Sequence, residues 1–96
     1  MIIINAKLQI DENKRDDYLE LMNELVQNSR QEEGNVFYHH YEDVNEKNVF
    51  VVVENYKDEH AVQAHNDSGH FQTFSQHIGD YVIKEPEINV SETIEK

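Results

Sequence analysis

The chain has 96 residues, with 8 Lys or Arg against 20 Asp or Glu, for a formal net charge of -12. This length builds one core and buries roughly 60–65% of the unfolded surface, so a lone monomer is marginal. The acidity argues against nucleic acid and against anionic membrane surfaces, since both demand clustered basic side chains. There is no cysteine, which excludes disulfides and thiolate metal sites and fits a cytoplasmic protein.

Ile2 to Ile10 reads as a strand, with Ile2, Ile4, Ala6, Leu8 and Ile10 on one face. Its apolar start, Ile2 to Ile4, is interrupted by Asn5 and Lys7 and is too short for a signal peptide or a membrane span. Asp11 is an N-cap candidate, and Glu12, Asp16 and Asp17 suit the positive end of a helix. Tyr18, Leu21, Met22, Leu25, Val26 and Ser29 then form one helical stripe, and Gly34 is the expected stop. Asn35 to Glu42 and Val49 to Tyr56 read as strands joined by the polar turn Asp43 to Asn48, a hairpin. A short helix is expected from Asp58 to His65, a break near Asp67 to Gly69, and another helix to about Ile78, with Gly79 ending it. A last strand lies within Tyr81 to Ser91, interrupted by Pro86. Residues 1–92 form a single domain, and 93–96 are expected to be a frayed tail.

Strand, helix, strand, strand, helix, strand is the ferredoxin-like βαββαβ order, an α+β fold with a four-stranded antiparallel sheet. Ile2-Ile3-Ile4 and Val49 to Val53 are apolar on both faces, which places the first and third strands at the centre. Two helices cover only one face of such a sheet. The valines on the other face call for a cover, and a second copy in a symmetric dimer supplies it.

The stretch Glu54 to Phe74 gathers imidazole and aromatic groups where a strand passes to a helix, a usual place for a small-molecule pocket. Glu54 and Tyr56 share a strand face and could bind a polar substrate group. The more economical reading puts Tyr56 in the core and pairs Glu54 with Arg30 or a lysine. His65 and His70 straddle the expected helix break. They lack the i, i+4 spacing of a zinc pair, so no metal site is expected, and histidines often cap or pack such a junction. His39 and His40 are adjacent on a strand and point to opposite faces, while His60 and His77 read as solvated. Gly34, Gly69 and Gly79 are scattered and form no phosphate-cradling loop.

The run Ser29-Arg30-Gln31-Glu32-Glu33-Gly34 leads into Tyr38. It is followed by Glu54-Asn55-Tyr56, Ala61, Ala64-His65, Ser68-Gly69-His70-Phe71 and Phe74. In this order and spacing the chain resembles the antibiotic biosynthesis monooxygenase superfamily, specifically its small quinol-monooxygenase-like members, over nearly its whole length. The resemblance implies a homodimeric α/β barrel, a pocket between sheet and helices, and oxygenation of small aromatic quinols or phenols without metal or flavin. His65 and His70 are then the proton-handling candidates. Tyr56, Phe71 and Tyr38 would be aromatic walls, with Glu54 and Asn5 as polar contacts. Tyr56 stands where many members carry tryptophan. Val52 and Val62 replace the asparagine and tyrosine of the antibiotic-pathway enzymes. Ala6 and Ser75 occupy positions that the heme-degrading branch fills with asparagine and histidine, which disfavours heme degradation. Two rivals stay open: an isomerase or lyase on a small carbonyl or phosphorylated metabolite, like the branch that processes autoinducer-2, and a non-catalytic ligand- or protein-binding module.

Overall fold

The computed structural model describes residues 1–94. The elements are β1 (Ile2–Gln9), α1 (Arg15–Ser29), β2 (Asn35–Glu42), β3 (Val49–Tyr56), α2 (Glu59–Asp67), α3 (Gly69–His77) and β4 (Glu87–Glu92). The sheet is antiparallel in the order β2-β3-β1-β4, so the two strands that are apolar on both faces are the central ones. This is the expected ferredoxin-like fold, with the helical side divided between α1 and the pair α2 and α3.

Register decides what each face carries. Tyr38 lies opposite Glu54, Glu54 opposite Ile4, and Ile4 opposite Val90, forming one row across the sheet beneath the helices. The stripe of α1 (Tyr18, Met22, Leu25, Val26) packs on Phe50, Val52, Tyr38 and Leu8 to make the core. The buried Tyr18 hydroxyl meets His40 Nε2 at 2.9 Å. Burial pushes Tyr18 up and His40 down to about 4, so this bond joins two neutral groups. His39 points the other way and stacks between Phe37 and Tyr41, as strand alternation requires.

Several expectations are corrected by particular contacts. Asp11 caps a single 3-10 turn, Glu12–Lys14, before α1 begins. Gly34 is not the helix terminator. The last α-type bond runs from Arg30 N–H to the Val26 carbonyl, and then Gln31 N–H to Asn28 and Glu32 N–H to Ser29 tighten the chain into i→i+3 turns. No glycine among the described residues has a positive φ. Gly34 is required for a different reason: a Cβ there would sit 2.2 Å from the Ala61 Cβ, so the glycine lets α2 press onto the start of β2. The last strand is interrupted at Pro86 as expected, with Val82 bridging Ile10 before it and β4 after it, running one residue beyond Ser91 to Glu92. Thr93, assigned to the tail, donates its N–H to the Met1 carbonyl at 3.0 Å, while residues 95–96 fall outside the described ones.

Gly34→Ala forces α2 away from the sheet, and overpacking of this kind costs about 1–3 kcal/mol. The variant should melt well below the parent by circular dichroism. Gly69→Ala and Gly79→Ala, whose added methyls meet nothing within 4 Å, should not. Equal melting of Gly34→Ala and the parent would remove the close-approach explanation.

Candidate functional site

Two short helices meeting at Ser68 build the site. Asp58 caps α2 by accepting from the Ala61 N–H at 2.9 Å. Ser68 sits in extended geometry between α2 and α3 and serves both. Its hydroxyl donates to the His65 carbonyl at 2.6 Å and accepts from the Phe71 N–H at 3.3 Å. On one straight helix, residues five apart point about 140° away from each other. The extended break at Ser68 cancels that divergence, and His65 and His70 both reach Glu32, which the tightened turns after α1 deliver from the other side.

Glu32 is the centre of this cluster. His65 Nδ1–H donates to Glu32 Oε2 at 2.8 Å, and His70 Nε2–H donates to the same oxygen. A carboxylate accepts and does not donate, so it assigns the proton of His65 to Nδ1. The other nitrogen, Nε2, is left as a bare acceptor, buried and without a hydrogen-bond partner. It faces Glu54 Oε1 at 3.7 Å. Glu54 accepts from the Tyr56 hydroxyl at 2.7 Å. Burial raises the Glu54 carboxyl to about 7, with the Tyr56 bond opposing and the charge of Glu32 adding to the rise. Burial lowers the imidazole of His65, against the pull of Glu32. Near neutral pH, therefore, a carboxyl poised between its two forms faces an imidazole held neutral.

This pair opens onto a cavity of about 660 Å³ between the sheet and α1, α2 and α3. Tyr38, Phe71, Phe74, Ile4 and Met22 supply walls, and Glu54 and His65 supply polar groups. The open side lies along β4, where Ile88 and Val90 are 63% and 66% exposed. The branch-distinguishing positions Ala6, Val52, Val62 and Ser75 all line it.

The structure brings six of the seven sequence-derived candidates together. His65, Glu54, Tyr38 and Phe71 line the cavity, with His65 and Phe71 ring centres 5.0 Å apart. Tyr56 lies behind that wall, fully buried, and positions Glu54. His70 joins through Glu32 and opens onto a separate groove between α1 and α3. Asn5 is the exception. It pairs with Val53 and Asn89 on the outer face of the sheet, because odd positions of β1 point away from the helices. The expected partner of Glu54 is corrected too: Tyr56 and His65 face it, while Arg30 donates to the Tyr38 carbonyl at 2.8 Å. Glu32 stood within the Ser29 to Gly34 run without being singled out. The signal for it is a pair of carboxylates, Glu32 and Glu33, in a helix-ending turn, and the meaning of Glu32 appears only with the histidines 33 and 38 residues later. Glu32 Oε2, His65 Nδ1 and His70 Nε2 lie within 4.8 Å of one another, a set of donors able to hold a metal ion.

The architecture, an α+β ferredoxin-like sheet with its pocket under the helices, sets the class. The family model described as "Antibiotic biosynthesis monooxygenase" matches residues 1–77, and the chain belongs to that family. It is 45% identical over 74 residues, covering 77% of this chain and 78% of the other, to the Bacillus subtilis (strain 168) protein named "Putative monooxygenase YcnE". A solved structure described as a conserved protein from Methanosarcina mazei Go1 superposes with a TM-score of 0.92 at 27% identity, covering 97% of this chain and 92% of that one. A crystal structure titled antibiotic biosynthesis monooxygenase matches equally well, TM-score 0.92, over 99% of this chain and all of that one; at 24% identity it speaks for the fold alone.

The raised carboxyl of Glu54 makes a signed prediction. Its folded value, about 7, lies above the ordinary 4.5, so the native state holds a proton that the unfolded chain has released. The stability from this group is complete below 4.5 and is lost as pH rises through about 7. Glu54→Gln removes the dependence. Between about pH 5 and about pH 8 the melting temperature of the variant should gain on the parent, other groups being common to both. A gap that does not change with pH would show Glu54 ionised throughout.

Proposed function

We propose that this protein is a cofactor-independent monooxygenase that oxidises a small aromatic quinol or phenol with O2. One observation carries the reading: the unpartnered Nε2 of His65, facing Glu54 at the wall of a largely apolar cavity. A phenol hydroxyl placed there gives its proton to Nε2. The imidazolium so formed lies between two carboxylates, Glu32 at 2.8 Å and Glu54 at 3.7 Å. The phenolate is electron-rich enough to pass one electron to O2, and the two radicals recombine within the cavity. A ring carbon that bears hydrogen, para to the hydroxyl in a phenol and ortho to one in a quinol, takes one oxygen atom, and the other leaves with two hydrogens as water. Phenol plus O2 thereby gives quinone plus water, and quinol plus O2 gives hydroxyquinone plus water, with no outside reductant. The apolar walls exclude bulk water and hold the ring.

Among the residues lining the cavity there is no lysine or arginine. This supports an uncharged aromatic ligand over a phosphorylated metabolite, and so weighs against the isomerase reading. Homodimerisation belongs to the same proposal: Phe37, Tyr41, Val51 and Val53 lie on the sheet face that no helix covers, and Tyr41 is 50% exposed. Light scattering should then give a particle of twice the 11.4 kDa chain mass, and a monomer would refute the dimer.

Oxygen uptake by metal-free protein should exceed the blank with members of a panel of reduced quinols and anthrones. His65→Gln, which can still donate to Glu32, should lower turnover by about 10²-fold or more while retaining the far-UV spectrum of the parent. Turnover of the same compounds without O2, or a His65→Gln variant as fast as the parent, would overturn the reading.

A further inference from the structure

We propose that Glu32, His65 and His70 form a binding site for a divalent first-row transition-metal ion, on the side of His65 turned away from the cavity. The donors are His65 Nδ1, His70 Nε2 and Glu32 Oε2, all within 4.8 Å of one another. Two imidazoles and a carboxylate are a donor set that zinc, cobalt and iron all accept. Tetrahedral coordination at ordinary bond lengths separates ligand atoms by roughly 3.3 Å. His65 Nδ1 and Glu32 Oε2 stand 2.8 Å apart and His70 Nε2 lies closer still to the same oxygen, so the His65 pair must open by about half an ångström and the His70 pair by more to admit an ion in place of the two N–H···O bonds.

A second, independent observation supports the site. Metal-ligating histidines usually donate their other ring N–H to a carboxylate, which orients the ring. With an ion on Nδ1, the proton of neutral His65 moves to Nε2. That nitrogen is buried and without a partner, and Glu54 Oε1 faces it at 3.7 Å. Metal binding thus turns an orphaned acceptor into a donor aimed at a carboxylate, a Glu54–His65–metal arrangement. The ion would have a route of entry: His70 is 21% exposed and lines the groove between α1 and α3 with Glu24, Asn28 and Thr73. Glu24 and the net charge of -12 favour the approach of a cation. Glu32 and His70 do not line the cavity, so the ring of His65 separates the ion from any substrate. The two histidines alone lack the spacing of a metal pair along the chain, and Glu32 joins them only in the fold. The site has one consequence that rests on the monooxygenase reading: a protonated Nε2 cannot accept a phenolic proton, so the metal-loaded protein turns over slowly.

The test is calorimetric titration of EDTA-stripped protein with zinc, and with cobalt followed by visible absorption. One ion per chain is expected, with the intense d–d bands of low-coordinate cobalt. Glu32→Gln and His70→Ala should each abolish binding, and Glu54→Gln should weaken it by about 10- to 100-fold. His60→Ala and His77→Ala, at exposed helix positions, should bind like the parent. Folding of each variant is checked by circular dichroism, and His70, at the surface, provides the variant least exposed to a folding defect. Binding that survives in both Glu32→Gln and His70→Ala, or that disappears with His60 or His77, would overturn the site. So would an absence of zinc binding by the parent at micromolar protein. Unchanged affinity in Glu54→Gln would overturn the Glu54–His65–metal arrangement. The titration contains no substrate, so its failure is separate from any failure of the oxygenase assay.

Discussion

A histidine ring that is 2% exposed cannot leave both of its nitrogens to water, and much of this structure follows from where they go. Glu32 takes Nδ1. To be there it needs α1 to end by tightening through i→i+3 turns, and to meet His70 it needs the chain to extend at Ser68. Gly34 then lets Ala61, one turn before His65 on α2, approach the start of β2. Backbone features scattered along the sequence thus meet one requirement, the satisfaction of a single buried imidazole. The requirement is met at one nitrogen only. The unpartnered Nε2 costs stability, and a polar group left short in this way is a usual mark of a site that binds or reacts.

The site has two sides of different character. Toward the cavity, His65 and Glu54 stand among apolar and aromatic walls. Toward the groove between α1 and α3, Glu32 and His70 form a polar relay that reaches solvent. The ring of His65 is the partition between them. A change of proton at one ring nitrogen changes the tautomer and so the other nitrogen, which links the cavity side and the groove side through one ring.

The cavity lining is largely apolar. Ala6, Val52, Val62 and Ser75 contribute small side chains to it, Glu54 and His65 are its buried polar groups, and Glu59, Gln63 and Asn66 add exposed ones. Tyr56 is buried behind the wall. Its hydroxyl satisfies one carboxylate oxygen and so holds Glu54 in place without touching the cavity.

Local pattern carried the elements. The apolar runs of β1 and β3 identified the central strands, because strands covered on both faces lose their alternation, and the stripe of α1 identified its buried face. The cluster of His65, His70, Tyr56 and Phe71 was legible as a region, since all four lie within one strand-to-helix passage. Asn5 was named through the family resemblance, although alternation along β1 already set it on the side opposite Ile4, Ala6 and Leu8, whose face the helices cover. Gly34 was visible as a glycine in a terminating turn, yet its need came from a methyl on α2, 27 positions away. Composition and periodicity by themselves determined an acidic α+β domain with two central strands and an aromatic-histidine passage, because these depend on neighbours along the chain. Only the tertiary structure decided that Glu32 binds both histidines, that Nε2 of His65 lacks a partner and that Glu54 is poised near neutrality. Those depend on burial and on distances of 3 to 4 Å between groups far apart in sequence, such as the 2.8 Å from Glu32 to His65, and folding alone brings such groups within reach.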